Sequence, residues 1–226
     1  MPETLTGNAS TLGIKRPCCE YATQLQVTMR LPGEPQGRAN RRPRPEQDLG
    51  ESQIDIVTAL ALSIGLLGGV ATYLYLSDPL VLGLQIWAAF IAWASFYHCG
   101  GKVQGFIASV FANLWGIVMA TLTLLAVSRL GFADQLGLPV WAGICVAIGV
   151  AVMILGAKIP IFSAIPATVY GYASTVALTL LTADGLANLS VPSLVNPAVI
   201  IALSMIGGNI FGLISEALAG LLARKA

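Results

Sequence analysis

Six stretches of this chain, near residues 54 to 76, 80 to 98, 103 to 128, 139 to 157, 159 to 182 and 196 to 223, are long and continuously apolar. Crossing a hydrocarbon layer of roughly 30 Å takes about 20 helical residues, and each stretch is of that order. Lipid offers a backbone no hydrogen bonds, so a spanning segment must be a helix or part of a closed barrel. The runs are too long for membrane strands and lack strict alternation, which leaves helices. With 56% hydrophobic and 10% charged residues and a mean hydropathy of +0.78, ordinary soluble usage is excluded. The fold expected is all-α: a polytopic membrane protein of six transmembrane helices.

Charge orients it. Residues 1 to 51 hold seven of the twelve Lys and Arg and six of the eleven Asp and Glu. This stretch is rich in Pro, Gly, Arg, Glu and Gln and poor in periodic apolar residues, so it is expected to be a disordered cytoplasmic tail ahead of a membrane domain at 52 to 226. It has no apolar core of signal-peptide length. Basic residues near the spans fall on one side if the chain crosses six times: Arg38, Arg41, Arg42 and Arg44 before the first, Lys102, Lys158, then Arg224 and Lys225. Asp78, Asp134 and Asp184 take the opposite loops. The positive-inside rule then puts both termini in the cytoplasm. Cys18, Cys19, Cys99 and Cys145 are spaced for neither a disulfide framework nor a zinc site.

An internal repeat of 56 residues runs through the middle. Asp78 matches Asp134, Gly100 matches Gly156, Lys102 matches Lys158, Phe106 matches Phe162, and Leu122-Thr123-Leu124-Leu125 matches Leu178-Thr179-Leu180-Leu181. Each unit, about 78–125 and 134–181, reads as loop, span, basic turn, span. Two crossings per unit make the repeat parallel.

A five-residue phrase occurs three times within the apolar stretches: Ala112-Asn113-Leu114-Trp115-Gly116, Ala167-Thr168-Val169-Tyr170-Gly171 and Gly208-Asn209-Ile210-Phe211-Gly212. On a helix the small residues, Ala112 and Gly116, Ala167 and Gly171, Gly208 and Gly212, make a groove that lets another helix approach closely. Such faces suit a homo-oligomer. Asn113, Thr168 and Asn209 fall near the bilayer midplane, where a polar side chain is costly against lipid and turns inward. Two readings stand open: a ring lining a path for a small polar solute, with Trp115, Tyr170 and Phe211 narrowing it, or interhelical hydrogen bonding worth around 0.6 kcal/mol per pair.

The stretch Trp87-Ala88-Ala89-Phe90, then Phe96-Tyr97-His98-Cys99-Gly100-Gly101-Lys102 and Gly105-Phe106-Ile107-Ala108-Ser109, resembles a group of small bacterial inner-membrane proteins catalogued only as a domain of unknown function. Ser163-Ala164-Ile165-Pro166-Ala167 and Pro192-Ser193-Leu194 are similar to it as well. The resemblance covers about residues 55 to 223 and implies an inner-membrane location and a compact multi-span fold. It implies no substrate, activity or catalytic residue.

Glu216 is the one acid well inside a span, either a proton or cation site or a group reaching water, Lys102 or Lys158. Asn196-Pro197 reads as a helix N-cap followed by proline at the first position. Pro166 is expected to kink the fifth span. His98 and Cys99 lie across the membrane from the loop aspartates, so no triad forms, and Gly100-Gly101-Lys102 lacks the flanking residues of a phosphate loop. The sequence thus leads to a channel or facilitator for a small polar solute, with a non-transporting scaffold or accessory subunit as the alternative. Its expected surroundings are the bilayer and copies of itself. No catalytic residue, metal, cofactor or nucleic acid is expected.

Overall fold

The computed structural model describes residues 55–78 and 81–224. The N-terminal tail and its arginine cluster lie outside the described residues. Helix α1 covers Ile56–Ser77, α2 Ile86–His98, α3 Lys102–Arg129, α4 Ala133–Leu136, α5 Leu138–Leu155, α6 Ile165–Leu181, α7 Gly185–Asn188 and α8 Pro197–Arg224. Two 3-10 turns, Gly156–Lys158 and Pro160–Phe162, join α5 to α6. No strand occurs among the described residues. Four segments are long and apolar enough to cross a membrane: α1, α3, α5 with its turn (Leu138–Lys158) and α8 to Ala223.

The second and fifth spans read from the sequence are shorter as helices than as apolar runs, at 13 residues for α2 and 17 for α6. Each loss has a local cause. Asp78 adopts φ 35° at the end of α1 and its carboxylate accepts the N–H groups of Leu82 and Gly83 at 3.0 and 2.7 Å, which holds the chain out of a helix there. Helix α2 starts only where the Gln85 N–H reaches the Ser204 hydroxyl of α8 at 2.9 Å. Before α6, Pro160 opens a 3-10 turn instead of an α-helix. Pro166 produces no kink within the span. It sits in the first turn of α6, where its missing N–H has no intrahelical partner to lose.

Other ends follow their sequence. The Asp55 carboxylate accepts the Val57 N–H at 3.2 Å to start α1. Asn196 caps α8 by accepting the Ala198 N–H at 2.9 Å, while its amide donates to the carbonyls of Leu189 and Val191, each at 3.0 Å. Gly100 and Gly101, at φ 92° and 66°, make the tight turn from α2 into α3, a conformation that costs a side chain dear.

Helix directions follow from their contacts. Gly116 and Gly171 place α3 against α6 running the same way, since Ala112 also meets Ala164 and Ala167 near both N-terminal ends. Helix α2 runs with α8, because Gln85 meets Ser204, Ala89 meets Gly208, and Trp93 and Tyr97 meet Ser215. Helix α5 runs against α3, with Gly149 on Thr123 and Met153 on Trp115. Helix α1 runs against α8, bonded from the Tyr75 hydroxyl to the Ser204 carbonyl at 3.0 Å. One pattern covers all of this. Taking α1, α2, α3 as one set and α5, α6, α8 as another, the third helix of each set packs on the second and first helices of the other. Third also meets third and second meets second. Exchanging the sets keeps each of these pairs and reverses the helix directions.

Burial follows the pattern. In the most apolar stretch of each, 44% of residues in α3 and 39% in α8 are buried, against 17% in α1 and 11% in α5, so the third helices are central and the first ones flank them. Ala88 and Ala92 of α2, Ile117 of α3, and Ile201 and Met205 of α8 form the central apolar cluster.

Candidate functional site

Two places hold polar or open features within this frame: a sealed polar layer in the centre and a groove between α2 and α6.

The polar layer lies one turn from the central apolar cluster, where Ser95 follows Ala92 on α2, Asn209 follows Met205 on α8 and Asn113 precedes Ile117 on α3. All three are essentially without exposure. The Ser109 hydroxyl donates to Ser95 at 2.7 Å, Ser95 donates to the Asn113 carboxamide oxygen at 3.3 Å, and the Asn113 amide returns to Ser109 at 3.3 Å. This closed ring ties α2 to α3. Thr168 turns its hydroxyl to the Ile165 carbonyl at 2.8 Å, and the Asn209 amide donates to the Met205 carbonyl at 2.9 Å. The Asn209 carboxamide oxygen is buried without a partner. Asn113 and Thr168 flank the same contact between α3 and α6, and all three, Asn209 included, are buried in the helix packing.

The small residues show what encloses them. A Cβ on Gly116 would overlap the Thr168 carbonyl, and one on Gly171 the Asn113 carbonyl, so α3 and α6 are reciprocally docked at backbone distance. Ala112 and Ala167 share a buried cluster beside this contact. The third phrase meets neither of the others there: a Cβ on Gly208 would overlap the Ala89 carbonyl of α2, and one on Gly212 would meet the Phe96 ring at 2.7 Å. The aromatics of the phrases separate too. Trp115 donates to the Met153 carbonyl at 3.1 Å and stacks on Phe162 with centroids 5.0 Å apart, fastening α5 to α3. Phe211 stacks on Trp93 at 5.8 Å, and the Trp93 indole donates to Ser215 at 3.0 Å.

Glu216 meets Lys102, one of the partners expected for it, through the backbone. Its carboxylate accepts the backbone N–H of Lys102 at 2.6 Å. That N–H opens α3 and has no intrahelical acceptor, so Glu216 caps α3 from α8, where a negative charge also meets the positive end of the helix dipole.

Tyr170 belongs to the second place. The groove between α2 and α6 has a volume of about 400 Å³ and is lined by Trp87, Ile91 and Ala94 from one side and by Tyr170, Ser174 and Ala177 from the other. Its two polar ends are occupied: the Trp87 indole donates to Gln85 at 3.0 Å, and the Tyr170 hydroxyl lies 3.3 Å from His98 Nδ1. Ser174 is 1% exposed and its hydroxyl has no partner. Ile91 and Ser174 lie in none of the sequence motifs, and Trp87 entered only through the family resemblance; they meet only when α2 and α6 are set side by side. Among the described residues no group of three His, Cys, Asp or Glu side chains gathers to hold a metal ion.

Apolar helices on this scale, packed around small residues and sealed polar groups, are those of a helical membrane protein. The chain belongs to the family described as "Protein of unknown function (DUF1097)", whose model matches residues 61–220. No curated protein and no solved structure matches it.

Proposed function

We propose that this protein is a facilitator in the bacterial inner membrane that moves a small uncharged polar solute, crossing six times with both termini cytoplasmic. The observation that carries this is the exchange pattern of the helices: two sets of three, opposite in direction, each with a short second helix facing the other across a groove. Many secondary transporters are built from inverted sets of this kind and bind their solute where short or broken helices meet between them. The six crossings are supported by length. Helix α2 rises about 20 Å at 1.5 Å per residue, and the turn at residues 81–85 before it lengthens that path. For α6 the 3-10 turns do the same.

The 56-residue parallel repeat is supported only by the reciprocal docking of α3 and α6, since α2 and α5 lie in unlike surroundings. Enclosure of Asn113, Thr168 and Asn209 favours a different lining from the one the phrases suggested. It also favours the second reading, a non-transporting scaffold whose polar groups serve packing. A homo-oligomer and the lack of catalytic chemistry belong to the proposal as well. The test is flux: protein reconstituted in liposomes, with shrinking and swelling followed for urea, glycerol, acetate and ammonium. Flux above empty vesicles for at least one solute is expected. Equal rates with and without protein would leave the scaffold.

A further inference from the structure

We infer that the groove between α2 and α6 is a binding site for a small amphipathic molecule, one with an aromatic or aliphatic body and a single hydrogen-bonding group, held by the Ser174 hydroxyl. The inference rests on the proposed function for the meaning of the groove's position, and it narrows the solute from polar in general to one with an apolar body.

Four observations converge on it. The groove lies between the only pair of helices that are second in their sets, α2 and α6, so it sits where the exchange of sets maps the wall of one onto the wall of the other. At about 400 Å³ it falls within the size range of small-molecule sites, toward the lower end. Its walls are apolar, with the Trp87 and Tyr170 rings offering flat faces for a ring or chain. Ser174 stands at the middle of α6, buried, with its hydroxyl unpaired.

The last point is the sharpest. A hydroxyl on an apolar helix ordinarily satisfies itself on the carbonyl one turn back. The neighbours of Ser174 do so: Thr175 donates to the Gly171 carbonyl at 2.9 Å and Thr179 to the Thr175 carbonyl at 2.7 Å. Ser174 does not. An unpaired hydroxyl away from water is costly, and a ligand that supplies the partner recovers that cost on binding. The polar tips of Trp87 and Tyr170 already have partners, on Gln85 and His98, so Ser174 is left as the free hydrogen-bonding side chain of the wall. A lipid acyl chain would cover the alanines and leave this hydroxyl unpaired. A molecule with one hydroxyl, amide or carbonyl satisfies both the apolar walls and the serine.

The experiment measures binding alone, so it stands or falls separately from flux. The full chain in detergent micelles is titrated with para-fluorobenzyl alcohol and with para-fluorotoluene, and fluorine NMR reads the bound fraction of each. The alcohol should bind about fivefold more tightly than the toluene, the worth of one hydrogen bond. Ser174→Ala should bring the alcohol down to the toluene's affinity and leave the toluene unchanged. Ala177→Leu, which fills the groove from α6, should abolish both. Thermal unfolding of each variant checks that it is folded, and Ala177→Ser replaces Ala177→Leu if the latter does not fold, with a tighter alcohol complex expected. Equal affinity of the wild type for the two probes, or an unchanged preference in Ser174→Ala, would overturn the inference. So would binding of neither probe, or crosslinking of Ala94→Cys between two copies, which would make the groove a seam between subunits.

Discussion

The contact between α3 and α6 makes a quantitative claim that two single substitutions and their combination can test. Gly116 and Gly171 each touch a backbone carbonyl of the other helix, on Thr168 and Asn113. Carbon and oxygen normally approach to about 3.5 Å, and an added methyl would stand roughly 1.5 Å inside that limit, against backbone that cannot swing aside. Either Gly→Ala substitution must therefore part the two helices. Overpacking of this kind costs about 1–3 kcal/mol, so about 2 kcal/mol is expected from Gly116→Ala and the same from Gly171→Ala. The two are not independent: once the helices have parted for one methyl, the room for the other is largely there. The double variant should lose about 2.5–3 kcal/mol instead of 4. Equilibrium unfolding in mixed micelles, followed by circular dichroism, measures all three. Gly143→Ala is the control, because a Cβ there meets nothing within 4 Å and alanine is the better helix former; it should be neutral or stabilising. The reasoning fails if the single variants behave like Gly143→Ala, or if the double loss equals the sum within about 0.5 kcal/mol.

Two further expectations concern the polar contacts. Glu216→Gln keeps an acceptor for the Lys102 N–H and should cost less than 1 kcal/mol, whereas Glu216→Ala leaves the start of α3 uncapped and should cost about 1–2 kcal/mol by the same unfolding measurement; equal losses would mean the cap is not what Glu216 contributes. Asn113→Leu opens the ring with Ser95 and Ser109 and should destabilise by about 1–2 kcal/mol, while Asn209→Leu removes an unpaired carboxamide oxygen along with one bond and should be nearly neutral. Similar losses at both positions would contradict the assigned bonds.

Much of the architecture was legible before any coordinates. Hydropathy identified the helical segments, and Asn196-Pro197 marked the start of α8 because an N-cap and a first-position proline are local events. The ends of α2 and α6 were not legible, since an apolar run does not record where a carboxylate such as that of Asp78 holds the backbone out of a helix. Pro166 misled for the same reason: its effect depends on whether the helix has begun. The phrases named small residues, but sequence adjacency could not tell that the third phrase meets Ala89 and Phe96 of α2 while the first two meet each other. Of the groove residues Tyr170 stood in a recurring phrase and Trp87 in a quoted motif, but their meeting across helices far apart in the chain was not legible, and the free hydroxyl of Ser174 is visible only beside the paired ones of Thr175 and Thr179.

The closest helix contacts, α3 on α6 and α2 on α8, join one set of three to the other, and this bears on how the chain is made. Neither set has a core of its own. The first three helices leave the ribosome with Ala89 and Phe96 turned toward neighbours not yet synthesised, and the Lys102 N–H waits for a carboxylate 114 residues further on. Insertion can proceed helix by helix, but the contacts of α2 with α8 and the cap on α3 wait for the last helix. A chain stopped before Glu216 keeps the α3–α6 docking at Gly116 and Gly171 but leaves the start of α3 without its acceptor.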